Sequence, residues 1–217
     1  MGEMLQLRAV VEAPCPPTRL VYPWAIAKIK PFSMIRLSVE TSPEEIGLII
    51  LQLADYNKAS ISADARDTID QILDLDGAVL PGGIQVYGEG KKTISPGCCC
   101  GLEEWYGWFD FLKTGHSPWM GHDPWPTLTK KDGLVRICSD EESRKRFFLE
   151  SSYAHFKTQL KQVEKDLIAF SYCLEAWAQN LGIDRSQELR RTFSEWFRIR
   201  DRFNYEQQEW WKYGTTN

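Results

Sequence analysis

The chain has 217 residues, 43% of them hydrophobic and 26% charged, the proportions of a folded globular protein. Its 26 basic and 30 acidic residues leave a net charge of -4 and a pI near 5.5, which argues against a protein built chiefly to hold a nucleic-acid backbone. The 9 Trp, 8 Tyr and 10 Phe exclude intrinsic disorder.

Residues 1–33 carry Pro14, Pro16, Pro17, Pro23 and Pro31 and read as an irregular lead-in, with short strands at 19–22 and 25–29. From Met34 to Val39, the apolar Ile35, Leu37 and Val39 alternate with Met34, Arg36 and Ser38. That period of two predicts a half-buried strand. Ser42-Pro43-Glu44-Glu45 is a capping box with proline at the first helical position. It predicts a helix to about Asn57, with Ile46, Ile49, Ile50 and Leu53 inside. A second helix over 62–75 buries Ala65, Ile69, Ile72 and Leu73 and turns Asp64, Asp67, Asp70 and Asp74 mostly to water.

Ile84-Gln85-Val86-Tyr87 and Lys91-Lys92-Thr93-Ile94-Ser95 flank Gly88-Glu89-Gly90, the pattern of a hairpin. Pro96-Gly97-Cys98-Cys99-Cys100-Gly101 then leads into a helix over 102–113 that ends at Gly115. Residues 116–129 form a loop rich in proline and tryptophan. Leu134-Val135-Arg136-Ile137-Cys138 is a strand, and 139–150 a charged connection. Phe156, Leu160, Val163, Leu167, Phe170, Leu174, Trp177 and Leu181 are spaced alternately by four and three, a heptad seam. Gly182 suits the helix end. Asp184-Arg185-Ser186-Gln187 reads as a second capping box, opening a helix with Leu189, Phe193, Trp196 and Phe203 on one face.

These elements predict an α+β fold: a small mixed or antiparallel sheet packed by helices, with a C-terminal long-helix hairpin. Residues 1–142 form the body, and 143–217 the hairpin packed on it as one unit. The longest apolar run spans the six residues Ile46-Gly47-Leu48-Ile49-Ile50-Leu51, far short of the ~18 needed to cross a bilayer. The N-terminus lacks the pattern of a signal peptide. The expectations are therefore a cytoplasmic location, no membrane partner and reduced thiols.

Chemistry can be sought in four places. A cysteine of Cys98-Cys99-Cys100 sits before a helix, where the backbone field favours a thiolate, although Glu103 and Glu104 oppose it. With His122 and Asp123, one of these thiols would complete a nucleophile, base and orienting acid. Cys98, Cys100, His116 and His122 are the available zinc ligands. Their spacing is poor for a metal, because adjacent strand residues point to opposite faces, so no cofactor is expected. The bland alternative is that the cysteines and histidines simply pack the turn. Finally, residues 143–217 hold 13 basic and 10 acidic side chains, against 13 and 20 in residues 1–142. Arginines there interleave with aromatics, a mixture found in cores, in protein interfaces and in single-strand nucleic-acid binders. Acidic neighbours rank nucleic acid last. The interface candidates are Trp119, Trp125, Arg198, Trp210 and Trp211.

The segment Ile94-Ser95-Pro96-Gly97-Cys98-Cys99-Cys100-Gly101-Leu102-Glu103-Glu104-Trp105, the loop Gly121-His122-Asp123-Pro124 and residues 156–178 resemble a group of bacterial proteins of uncharacterised activity. The resemblance covers about residues 80–180 and carries over no catalytic residue. In size, acidity and absence of enzyme motifs, the chain also resembles bacterial toxin-immunity proteins in general character. Together these readings lead to the expectation of a non-enzymatic protein that binds another protein, in the immunity case neutralising a toxin by steric occlusion. The alternative is a thiol-dependent enzyme using Cys98, Cys99 or Cys100 with His122 and Asp123. A homodimer through the heptad seam is a further option.

Overall fold

The computed structural model describes residues 5–15 and 21–200. Four strands form the first sheet: β1 (Gln6–Glu12), β2 (Met34–Arg36), β3 (Gly82–Tyr87) and β4 (Thr93–Ile94), in the order β2-β1-β3-β4 and antiparallel throughout. β1 is central, with Val11 opposite Ile35 on one side and Leu7 opposite Val86 on the other. Between β2 and β3 lie α1 (Pro43–Tyr56) and α2 (Ala65–Leu73). The Ser42 box forms as its residues require. Ser42 Oγ accepts from the Glu45 amide at 3.2 Å, and the Glu45 carboxylate accepts from the Ser42 amide at 2.8 Å.

After β4 the chain makes a tight helical turn at residues 102–106 and continues as α3 (Gly107–Thr114), which Gly115 ends in the left-handed conformation. A second antiparallel sheet follows, made of β5 (Thr127–Lys131), β6 (Leu134–Cys138) and β7 (Phe148–Ser152) in sequential order. Residue 142 falls in the connection between β6 and β7, two paired strands of one sheet. α4 (Tyr153–Asn180) leaves β7 directly, with Ser152 capping the His155 amide. α5 (Ser186–Trp196) folds back along it. Phe170 meets Phe193, and Glu175 meets Arg190 at 2.5 Å, so the two helices run in opposite directions. The α+β architecture with adjacent C-terminal helices is therefore present.

One core joins both sheets to the helices. Phe156, Leu160, Val163, Leu167, Phe170 and Leu174 are fully buried in it, and Trp177 nearly so. The heptad seam is thus spent on the chain's own core. A homodimer through Phe156, Leu181 and the residues between them would require that core to open.

Several local expectations are corrected. Residues 6–12 are a central strand, not an irregular lead-in, because Leu7, Ala9 and Val11 face the core and their backbone pairs on both edges. Residues 25–29 form no strand, nor do Val21 and Tyr22, while Arg19 and Leu20 lie outside the described residues. Thr127–Lys131 and Phe148–Ser152 are strands that begin inside the segments 116–129 and 139–150, read as a loop and a connection. The Asp184 capping box does not form. α5 begins at Ser186 after Arg185, whose guanidinium is held by Glu188 and by Asp70 of α2. Phe203, Trp210 and Trp211 lie outside the described residues.

Candidate functional site

Two loops far apart in sequence are fastened together in front of α3. Cys98 and His122 stand opposite each other as an antiparallel pair. The Cys98 amide donates to the His122 carbonyl at 2.6 Å, and the His122 amide donates back to the Cys98 carbonyl at 3.0 Å. The Gly97 amide adds a bond to the Met120 carbonyl at 2.7 Å. The Trp119 indole donates to the Cys99 carbonyl at 3.0 Å. Directly opposed residues put their side chains on one face, so this bridge sets Cys98 beside His122.

The approach is close enough to demand glycine. A Cβ on Gly97 would stand 2.1 Å from the Pro124 carbonyl oxygen. One on Gly121 would stand 2.5 Å from the Gly97 carbonyl carbon, and Gly121 also has φ +89°.

In an extended strand, Cys99 would point away from Cys98. Instead Cys99 has φ +62°, and this left-handed turn brings its sulfur to 3.4 Å from that of Cys98. Cys98, Cys99 and His122 each offer a donor atom, all within 4.8 Å of one another, and all three residues are exposed. His122 Nδ1 lies 3.1 Å from a carboxylate oxygen of Asp123. Of the sequence-derived catalytic set, the structure therefore gathers Cys98, Cys99, His122 and Asp123.

Cys100 is separate. It is buried beneath the turn, 3.1 Å from where a Cβ on Gly83 would sit, and its sulfur faces the carbonyls of Gly101 and Trp119. Burial pushes its thiol up to about 12, helped by the charges of Glu104 and Glu103. His116 is exposed beyond Gly115 and does not belong to the donor cluster. Of the metal candidates Cys98, Cys100, His116 and His122, the structure brings only Cys98 and His122 together, with Cys99 as their neighbour. The third histidine, His155, is bonded through its ring to the Leu5 carbonyl at 2.8 Å, a structural contact.

The electrostatics do not favour a free thiolate. Cys98 is raised above the ordinary thiol range, first by its hydrogen bond with Cys99, then by the charge of Cys99, by burial and by the charge of Asp123. The helical turn after the cysteines opens with Glu103 and Glu104, which offset the positive helix end. A shallow cavity on the second sheet, lined by Thr129, Lys131, Leu134, Arg136 and Glu150, includes none of these side chains in its wall.

Beside the cluster stand two tryptophans, each 43% exposed. Trp119 is fixed by its bond to Cys99 and by an edge contact with the His122 ring at 6.3 Å. Trp125 is held through its backbone, whose amide donates to the Asp140 carboxylate at 3.3 Å and whose carbonyl accepts from the Glu141 amide at 2.9 Å. Arg198 is exposed just beyond α5, with no hydrogen bond, ion pair or ring contact to Trp119 or Trp125 among the described residues. Trp210 and Trp211 are outside the described residues.

No family model matches the chain, and neither the curated proteins nor the solved structures searched contain a match.

Proposed function

We propose that this protein binds another protein through the loop that carries Trp119, His122 and Trp125. The observation that carries the reading is two large indoles left exposed, one pinned by its ring N–H to the Cys99 carbonyl and the other on a backbone bonded to Asp140 and Glu141. Rigid aromatics lose little conformational freedom on docking, which is why they dominate binding energy at interfaces. Asp123, Asp140 and Glu141 lie on or beside the same loop, and the whole chain carries -4. A basic partner is the complementary one. In its sharper form, the partner is a toxin with a basic working surface, neutralised by being covered.

The test is co-expression with the product of the adjacent gene, followed by titration calorimetry on the purified pair. A 1:1 complex is expected. Trp119→Ala with Trp125→Ala should weaken it by at least about 30-fold, the effect of losing a hot spot. No complex with that product, or a complex indifferent to both changes, would overturn the reading.

A second reading is favoured by one specific observation, the convergence of Cys98, Cys99, His122 and Asp123. It is thiol-dependent chemistry with His122 as base. The raised Cys98 thiol and the open setting weigh against it. Timed iodoacetamide labelling at neutral pH separates the two. Under the binding reading, Cys98 alkylates no faster than free cysteine. Under the thiol reading, Cys98 or Cys99 alkylates selectively and many times faster.

A further inference from the structure

We propose that Cys98, Cys99 and His122 form a zinc(II) site, with Asp123 as the positioning residue that orients the imidazole. Two thiolates and an imidazole are a donor set that suits this borderline-soft cation. Sequence spacing argues against such a site only if Cys98 and Cys99 lie in regular strand, and the left-handed turn at Cys99 removes that objection. Two sulfurs bound to one tetrahedral zinc, each about 2.3 Å from it, stand roughly 3.8 Å apart. The Cys98 and Cys99 sulfurs already stand at 3.4 Å, and a ring nitrogen of His122 lies within 4.8 Å of both. All three side chains are exposed, so no packed core opposes their rotation towards a shared ion.

The backbone is prepared for it. The paired amides and carbonyls of Cys98 and His122 hold ligands 24 positions apart in one register, and Gly97 and Gly121 permit the close approach. Asp123 supplies a further independent observation. A proton on Nδ1, shared with the Asp123 carboxylate at 3.1 Å, leaves the lone pair on Nε2. Pairing of a ligand histidine with a carboxylate is the usual support for a metal-bound imidazole. Two thiolates beside Asp123 would repel one another, and a dication relieves that repulsion. With three protein ligands at an exposed position, the fourth ligand is water, as in open rather than closed zinc sites. None of this depends on the docking reading, whose failure would leave it intact.

The test uses the full chain, reduced and stripped with chelator, titrated with zinc(II) alone against a chromophoric competitor. One equivalent should bind. Asp123→Asn should weaken binding by about 10–100-fold, and Cys98→Ser, Cys99→Ser or His122→Ala by more. Cys15→Ser with Cys173→Ser should leave it unchanged. Cobalt(II) added to the unmodified protein should give a thiolate-to-metal charge-transfer band, a readout that needs no variant to fold. The proposal is overturned by any of three results: no zinc bound, binding that survives Cys98→Ser, or a cobalt spectrum without that band.

Discussion

Three consecutive cysteines occupy three different environments. Cys98 lies in a two-residue bridge, Cys99 in a left-handed turn, and Cys100 under the turn in the core. Cys100 makes the strongest prediction. Its thiol ionises near 9 when unfolded but is held up to about 12 in the fold. The protonated form is the one the fold favours, so its contribution is complete below pH 9 and is lost as pH rises from 9 towards 12. The loss is about 1.4 kcal/mol per pH unit within that window. Urea melts of the wild type and of Cys100→Ala should therefore converge as the pH is raised through it. Equal pH slopes for the two proteins would refute this. His122 and Asp123 were legible as candidates because an imidazole beside a carboxylate is visible in sequence. Which thiols join them was not. Period-two reasoning assigns Cys98 and Cys100 to one face, and only the backbone angle at Cys99 reverses the choice.

Among the elements, the two candidate capping boxes show where local sequence is decisive and where it is overruled. At Ser42, hydroxyl and carboxylate satisfy each other's amide and nothing competes. At Asp184, the neighbouring Arg185 is drawn into bonds of 2.8 to 2.9 Å with Glu188 and Asp70, and the helix starts one residue later without a side-chain cap. Ser42→Ala should accordingly cost about 1 kcal/mol in urea unfolding. Asp184→Ala should stay within about 0.5 kcal/mol. A larger loss at Asp184 than at Ser42 would contradict this account. Helices were legible because their apolar spacing and caps are local. β5 and β7 were not. They are the outer strands of a three-stranded sheet, and most of Thr127–Lys131 faces water, leaving little alternation to read. β1 was obscured differently. Val10 is buried like Val11, although Gln6, Arg8 and Glu12 on the same face are not, so the alternation breaks, and prolines follow closely.

At the scale of the whole molecule, α4 is the spine. Its inward face meets the first sheet, α1, α3, α5 and the second sheet. The Asp166 carboxylate, nearly buried on it, takes the Arg36 guanidinium of β2 at 2.8 Å and the Gln162 amide at 2.8 Å. Phe170→Ala should cost about 3–5 kcal/mol, a large part of the roughly 5–15 kcal/mol that holds a domain together. The variant's sedimentation coefficient should match that of the wild type, since Phe170 is buried within the chain's own core. A change from dimer to monomer in that variant would return the seam to an interface. The bridge between Cys98 and His122 has one more consequence. The chain that leaves at Cys98 comes back to the same point at His122, so the residues between them form a closed circuit. Its middle is anchored in the core by Trp105, Trp108 and Phe111. Local opening is therefore expected at the bridge rather than in the anchored middle. The amides of Gly97, Cys98 and His122, all bonded across the bridge, should accordingly exchange with solvent at one shared rate, which amide hydrogen exchange measures.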